Sequence, residues 1–293
     1  MMMLKTDIED MEDIEIVAGN IRRARIMRKI SRKSLASKIG ISEKRLRLLE
    51  SGKNYQDDDL IAEISFSLNL PLGFFFQFPD KDFEEKVFLR NSQMSLRDQK
   101  SVVEWARYHA TDAASLAVVM GLTPYSGIPK LDQIQSDDAQ KLGHKMASEW
   151  LEREKTLTEA LESRGVVVIS LSGVSSLFRG VFIQKRGFPI IAINDFPRSR
   201  ELFIKDIAHG LGHAAFLQQG LARHEEENFC DFFSEGFLKQ AIECGVEIGK
   251  FDFIPRTAIK AWRDEEISGS RAAEILNMRL FDFMEKYQYE RQD

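Results

Sequence analysis

The spacing of apolar positions predicts a chain made mostly of helices, with one short group of strands in its second half. Apolar residues recur every three to four positions, as on one face of an amphipathic helix, over residues 16–29, 32–39, 43–50, 96–120, 137–152, 156–163, 204–219, 225–238, 255–262 and 269–287. β-Branched runs predict strands at residues 166–169, 180–184 and 188–194. The first half of the chain is predicted to contain only helices, and the second half contains helices and a small sheet. This order predicts an all-α domain followed by an α+β domain.

Capping residues mark two short helices near the N-terminus. Ser31 and Ser42 stand where helix N-caps are expected, and Gly40 and Gly52 stand where the two helices end. Two short capped helices joined by a glycine-containing turn are the pattern of a helix-turn-helix.

Charge is distributed unevenly along the chain. The whole sequence carries a net charge of −5, but residues 20–54 contain twelve Lys or Arg against two Glu, a local net charge of +10. A basic block inside an acidic protein indicates that one small region contacts a polyanion.

The segment NIRRARIMRKISRKSLASKIGISEKRLRLLESGK resembles the XRE, or lambda-repressor-like, DNA-binding domain, and the likeness covers residues 16–78. The residues that carry it are Leu35 and Ala36 in the second helix, Gly40 and Ser42 in the turn, and Glu50-Ser51-Gly52-Lys53 after the third helix. The resemblance implies that the third helix enters the major groove of double-stranded DNA.

The same resemblance implies roles for the charged side chains. Those expected to face the bases are Glu43, Lys44, Arg45 and Arg47, and those expected to hold phosphates are Arg22, Arg32 and Lys33. Because one small domain reads few base pairs, we expect a homodimer on a pseudo-palindromic operator. The alternative interpretation is a solvated basic face without a partner.

His209 and His213 stand four residues apart, which places both on one face of a helix. Two imidazoles so placed can bind one metal ion, and a carboxylate from the next helix, which carries Glu227 and Asp231, would complete a zinc site of two His and one Glu. In H-E-x-x-H peptidases the Glu beside the first His is the general base, but this chain has Gly210 there. The alternative is a chance pair of structural histidines.

Residues 137–238 resemble the ImmA/IrrE family of metallopeptidase-like domains, which implies a zincin-like fold. The likeness rests on the strand after LESRG, the strand IIAIN, the Arg-x-Leu-Phe lead into the first His, and the segment ENFCDFF followed by GFL. It implies that Glu227 is the third zinc ligand, with Glu226 as the alternative if the alignment shifts by one residue. It also implies that Asp231 orients a ligating His. Because Gly210 replaces the family's catalytic Glu, no catalytic residue is assigned.

Together these arguments predict an all-α helix-turn-helix N-terminal domain and an α+β, zincin-like C-terminal domain with a small sheet. The predicted segments are a flexible acidic lead-in at 1–15, the XRE-type domain at 16–78, a linker at 79–95, a helical connector at 96–136, the ImmA/IrrE-like domain at 137–244 and a helical extension at 245–293.

Composition sets the expected location and the redox chemistry. No apolar run approaches the ~18 residues of a membrane span, and the acidic start differs from a signal peptide, so we expect a cytoplasmic protein without a membrane partner. Cys230 and Cys244 form no CxxC motif and are expected to be buried structural thiols, not metal ligands.

The predicted function is a sequence-specific transcriptional regulator, of the repressor or antitoxin type. Its metallopeptidase-like domain would serve sensing or the binding of a protein partner, such as a toxin or a repressor. One alternative is an active zinc metallopeptidase that cleaves a repressor or itself. A weaker alternative is a metal-free domain that mimics DNA or caps a toxin.

Overall fold

The computed structural model describes residues 5–53, 58–77, 83–89, 94–125, 136–152, 154, 156–216 and 223–287. The chain forms two compact units. The first unit comprises Met1–Lys81, Ser95–Trp105 and Gly269–Asp293, and the second unit comprises Asp82–Met94 and Ala106–Ser268.

The structure is mainly helical with one small sheet, which confirms the α+β class in its broad form. In chain order the elements are α1 (Lys5–Met27), α2 (Arg32–Lys38), α3 (Glu43–Leu49), α4 (Asp58–Leu68), a 3-10 turn (Leu72–Phe76), β1 (Phe83–Leu89), α5 (Leu96–Val119), α6 (Ser136–Leu151), α7 (Leu157–Glu162), β2 (Val167–Leu171), β3 (Phe178–Lys185), β4 (Phe188–Asn194), α8 (Arg200–Phe216), α9 (Arg223–Glu243), α10 (Phe253–Arg263), α11 (Gly269–Ile275) and α12 (Leu280–Tyr287). No helix among these is long and apolar enough to cross a membrane.

Helices α2 and α3 begin at the residues that the sequence predicts. The Ser31 and Ser42 hydroxyls accept hydrogen bonds from the backbone N–H groups of Ser34 and Arg45, each at 3.1 Å. Between the helices Gly40 takes a left-handed φ of +65°, which a side chain would disfavour. The two helices are therefore short because each end has its own stop or start signal.

The end of α1 is held by the first part of α5. The carbonyl of Met27 accepts hydrogen bonds from the Ser101 hydroxyl at 2.7 Å and from the Trp105 indole N–H at 3.0 Å. Two turns earlier in α1, the buried amide of Asn20 donates to the carbonyls of Phe75 and Gln77, at 3.0 and 2.7 Å. These bonds satisfy backbone groups that a helix end and a short turn leave open.

The second unit contains a four-stranded mixed sheet in the order β1-β3-β4-β2. Strands β3 and β4 form an antiparallel hairpin, β2 runs parallel to β4, and β1 pairs antiparallel with β3. Strand β4 is buried along its whole length, as expected for a central strand covered on both faces.

Several boundaries differ from the sequence prediction, and the predicted connector at 96–136 is itself divided between the units after Trp105. Strand β1 lies inside the predicted linker at 79–95; its charged run Glu84-Glu85-Lys86 hid it, and charged residues are typical of edge strands. Helix α1 starts at Lys5 and thus extends into the predicted lead-in. The predicted C-terminal extension is divided, because α10 belongs to the second unit and α11 and α12 belong to the first.

Close helix packing in the second unit depends on glycine. A Cβ atom on Gly143 of α6 would lie 2.0 Å from the carbonyl oxygen of Phe233 in α9, and one on Gly236 of α9 would lie 1.9 Å from that of Gln140 in α6. The two helix backbones are therefore in direct contact. Helix α8 packs against α9 and against the sheet, and its residues 206–215 are all buried.

Candidate basic helix face and candidate metal centre

The outer face of α3 is charged and exposed. Glu43, Lys44, Arg45 and Arg47 are exposed, while Leu46 and Leu49 are buried in the first unit. This is the division between inner and outer positions that the apolar spacing predicts. Of the three residues expected to hold phosphates, Arg22 of α1 and Lys33 of α2 are exposed as well, and Arg32 is partly exposed.

The remaining basic residues of the block are largely used inside the unit. Arg23 pairs with Glu104 at 2.9 Å, and Lys29 pairs with Asp98 at 2.5 Å. Arg28 donates to the carbonyl of Leu68 at 2.6 Å, and its guanidinium lies over the Trp105 ring, 4.7 Å from the centroid. The positive charge available to a partner is thus smaller than the sequence count indicates.

Glu50 joins three helices at the base of this face. Its carboxylate, only 1% exposed, accepts hydrogen bonds from Arg25 of α1 and from Arg32 of α2, the latter at 2.6 Å. Burial raises the pKa of Glu50, but the hydrogen bonds from Arg25 and Arg32 outweigh burial and hold the pKa below its ordinary value. Arg32, expected to hold phosphate, therefore has its Nε atom committed to Glu50, and its role is at least partly to fix the helices.

The candidate metal centre is built on α8. Its two histidines are buried, and their rings meet edge to face with centroids 5.0 Å apart. The spacing of four residues therefore does place His209 and His213 side by side, as the sequence predicts.

His209 faces two carboxylates of α9 that reach solvent. Its Nδ1 atom lies 3.2 Å from Asp231 Oδ1, and its Nε2 atom lies 3.4 Å from Glu227 Oε2. The side chains of Glu227 and Asp231 are 37% and 61% exposed. Burial lowers the pKa of His209, but the hydrogen bonds with Asp231 and Glu227 outweigh it and raise the pKa above its ordinary value.

His213 is more deeply buried and contacts the neighbouring positions of α9. Its Nδ1 atom is 3.0 Å from Glu226 Oε1 and 3.4 Å from Cys230 Sγ. Burial lowers the pKa of His213, and the hydrogen bond with Glu226 only partly offsets this. The two histidines thus have opposite electrostatic environments on one helix face.

Within the part of the chain that the structure describes, His209, His213 and Cys230 form a group that could hold a metal ion, because their ligand atoms all lie within 4.8 Å of one another. Two atoms bound to one tetrahedral zinc ion at ~2.0–2.3 Å lie about 3.3–3.8 Å apart. Ligand atoms as far as 4.8 Å apart would therefore move together by roughly 1 Å to bind one ion. Imidazole nitrogen and thiolate sulfur are both zinc ligands.

Cys230, expected to be only a structural thiol, is one of the three gathered residues. The expected ligand Glu227 lies next to the trio, with its Oε2 atom 3.4 Å from His209 Nε2, and its role as a ligand stays a prediction. Cys230 and the histidines come from helices that pack together, so no spacing rule in the sequence indicated the pairing. Cys244 is exposed, not buried.

The two glycines of the HGLGH motif are packing positions. A Cβ atom on Gly210 would lie 2.8 Å from Ile191 Cγ2 in β4, and one on Gly212 would lie 3.0 Å from the Cα atom of Cys230. Helix α8 is therefore pressed against the sheet at the position where a peptidase carries its general base. Any side chain at position 210, a Glu included, would therefore meet Ile191 in the present packing.

A buried ion cluster one turn before His209 was missed by sequence reasoning. Asp206 of α8 is buried and pairs with Arg179 of β3 and with Arg198, the latter at 3.2 Å. An acidic residue among the apolar positions of α8 was the only signal. Because the cluster ties α8 to β3, it fixes the helix that presents the histidines.

Comparison with protein-family models, with curated proteins and with solved structures found no match. The function must therefore be inferred from the residues and their geometry.

Proposed function

We propose that this chain is a sequence-specific DNA-binding regulator of transcription whose second unit is a metal-binding domain used for sensing or for binding a protein partner. In this proposal α2 and α3 form a helix-turn-helix, α3 lies in the major groove, and the second unit holds zinc without efficient proteolysis. Its expected partners are operator DNA, a second copy of the chain, and a toxin or repressor protein.

The observation that carries the DNA-binding part is the exposed outer face of α3. Arg45 and Arg47 extend from a rigid helix whose inner residues are buried, and Glu50 fixes that helix to α1 and α2. A long, planar, always charged side chain on such a helix can form two parallel hydrogen bonds to a guanine edge. A merely solvated basic face has no need for the rigid support below it.

Support for a metal-binding second unit comes from its donor set. Two buried imidazoles and a buried thiol lie together in a part of the unit where hydrophobic side chains would otherwise be expected. A thiolate and two imidazoles favour zinc over the harder cations Mg²⁺ and Ca²⁺. When bound, zinc supplies Lewis-acid polarisation of a water or carbonyl oxygen.

Gly210 argues that this unit does not act as an efficient peptidase. General-base assistance contributes ~10²–10⁴-fold to the rate of such reactions. A Cβ atom at position 210 would already lie 2.8 Å from Ile191 Cγ2, so any side chain there requires Ile191 to move. A role in sensing or partner binding needs the metal site but not the base.

An active metallopeptidase is the second candidate, and one observation favours it. His209 lies next to Glu227 and Asp231, whose side chains are partly open to solvent. A substrate could reach this edge of the site, and Glu227 could then act as a base from a different helix. The weaker candidate, a metal-free domain that caps a toxin, would require that the His-His-Cys trio be purely structural.

Two measurements on the purified full chain test the proposal. We expect about one zinc per chain by elemental analysis, and a protected footprint upstream of the protein's own gene. Zinc-dependent cleavage of a repressor by the wild-type chain would show that the chain is a peptidase and would contradict the proposed role of its second unit. Absence of any specific DNA binding over a range of salt concentrations would contradict the regulator itself.

A further inference from the structure

The exposed face of α3 carries a carboxylate among its cations. Glu43 is the first residue of the helix, and Lys44, Arg45 and Arg47 are the cations. All four side chains are exposed, so a partner that contacts the cations also meets the carboxylate. Binding to DNA explains the cations but not Glu43, because phosphate repels a negative charge.

Glu43 differs from Glu50, the other acid of the basic block. The Glu50 carboxylate is buried and is held by Arg25 and Arg32. Arg47 follows Glu43 by four residues, a spacing at which opposite charges on a helix can pair, yet within the described residues neither side chain forms an ion pair. The carboxylate oxygens of Glu43 are therefore available to a partner.

The edges of the four bases differ in what they offer to a carboxylate, which can only accept hydrogen bonds. In the major groove guanine presents two acceptors, and thymine presents an acceptor and a methyl group. Adenine presents its N6 amino donor beside the N7 acceptor, whereas cytosine presents its N4 amino donor without an acceptor. Cytosine is therefore the base whose edge fits a carboxylate best, and guanine is the base that repels it most.

We propose that Glu43 determines specificity, because its carboxylate accepts a hydrogen bond from N4 of a cytosine in the major groove and rejects guanine at that position. The inference rests on the proposed function, since it requires α3 to lie in the groove. Arg45 and Arg47 favour guanine edges. The operator should therefore contain a C·G pair that is read from its cytosine, in addition to the guanines that the arginines read.

The positions of Glu43 and Arg47 on α3 allow them to read different base pairs. The two residues stand one turn apart, which is ~6 Å along the helix axis, and successive base pairs are stacked ~3.4 Å apart. The requirement for cytosine should therefore be separable from the requirement for guanine.

The same carboxylate should weaken binding to DNA that lacks the cytosine. On such DNA Glu43 faces acceptors and phosphates, and a carboxylate without a donor is repelled and loses its water. Rejection of wrong partners contributes to specificity as much as attraction to the right one. Glu43→Gln should therefore bind non-operator DNA more tightly than the wild type does.

A carboxylate in the first turn of a helix can also serve only to stabilise the helix end. Glu43→Asp separates the two roles, because it keeps the charge in the first turn but shortens the side chain by one methylene group. Reading of a base predicts a weaker preference for cytosine in Glu43→Asp with unchanged thermal melting. A helix-end role alone predicts the same base preference as in the wild type.

Binding-site selection by the full chain from a random double-stranded DNA library tests the proposal. The selected site is then compared with one in which the C·G pair is replaced by U·A, which exchanges the N4 donor for the O4 acceptor without adding a methyl group. We expect the wild type to lose affinity by about tenfold or more, and Glu43→Gln to bind the two sites within about threefold. Glu63→Gln is the matched control, because Glu63 of α4 is also exposed and forms no ion pair within the described residues. It should discriminate as the wild type does.

The outcomes distinguish this inference from the proposed function. A Glu43→Gln chain that selects the wild-type motif with the full preference for C·G would overturn the inference alone. A preference for adenine at the position that depends on Glu43 would overturn the assignment of cytosine. A wild type that enriches no motif would contradict the proposed function and this inference together.

Discussion

The two candidate sites of this chain are built in opposite ways. The α3 face is exposed, and its position follows from local signals: two serine caps, one left-handed glycine and an apolar stripe. The His-His-Cys centre is buried, and it exists only because α8 and α9 pack together through glycine contacts. A substitution on α3 should change binding and leave the fold intact, whereas a substitution around the centre should change both.

The largest expected effect is the loss of folding stability in Gly210→Glu. Helix propensity alone predicts a gain of up to ~1 kcal/mol when a glycine inside a helix is replaced. The contact between a Cβ at this position and Ile191 predicts the opposite, because overpacking costs ~1–3 kcal/mol and a buried carboxylate adds further cost. We expect a net loss of roughly 4 kcal/mol in the free energy of unfolding, measured by urea denaturation.

The control for this prediction is Gly210→Ala, which adds only the Cβ and should cost ~1–2 kcal/mol. Equal stability of Gly210→Glu and the wild type would show that α8 is not pressed against β4. Gain of zinc-dependent proteolysis in Gly210→Glu would show, in addition, that the missing base alone separates this domain from a peptidase.

The next largest effect is expected on the affinity for operator DNA. Arg45→Ala/Arg47→Ala should reduce affinity for the operator by ~10²–10³-fold, since each good bidentate contact to a base is worth ~1–3 kcal/mol. The melting temperature should stay unchanged because both side chains are exposed. Arg22→Ala is the matched control: as a phosphate contact it should weaken specific and non-specific binding equally and flatten the salt dependence. If the double variant keeps its operator specificity, α3 does not read the bases in the major groove.

Particular residues show how far the sequence could predict these sites. Ser31, Ser42 and Gly40 act within a few residues, so the α2–α3 pair was predictable from local patterns. His209 and His213 were also predictable, because a spacing of four fixes one helix face. The link of Glu50 to Arg25 and Arg32 was not, since these side chains meet only after the helices pack.

Other features were hidden from sequence analysis for the same reason. Cys230 lies 17 residues from His213 along the chain and reaches it across a helix pair, so no spacing could reveal it. Strand β1 is an edge strand with charged residues, and only its pairing with β3 identifies it. Helices α11 and α12 belong to the first unit because they contact residues far away in the sequence, and the spacing of apolar residues cannot indicate such contacts.

A smaller effect, the gain in stability when zinc binds, should decide which residue is the third metal ligand. With free zinc at 100 times the dissociation constant, a site in the folded state alone raises stability by ~2.7 kcal/mol. We expect His213→Ala and Cys230→Ser to lose most of this gain and Glu227→Gln to keep most of it, as measured by thermal melting with and without zinc. His224→Ala and Cys244→Ser, both at exposed positions, are the controls. The reverse order, with Glu227→Gln the more damaging, would restore the His-His-Glu set.

The smallest expected effect is the dependence of the first unit's stability on acid. The folded pKa of Glu50 is held below its ordinary value of 4.5 by Arg25 and Arg32 in spite of burial. The ionised carboxylate therefore stabilises the fold above pH 4.5, and this contribution falls as the pH drops from 4.5 through the lower folded pKa. In Glu50→Gln the acid-dependent loss between pH 5 and pH 3 should shrink by on the order of 1 kcal/mol, the scale of one charge-assisted hydrogen bond. Glu43→Gln, at an exposed position on α3, is the matched control and should leave the profile unchanged. Identical acid profiles for Glu50→Gln and the wild type would mean that apolar packing alone holds α1, α2 and α3 together. The ion pairs of Glu50 would then contribute nothing to holding the exposed face of α3 in place.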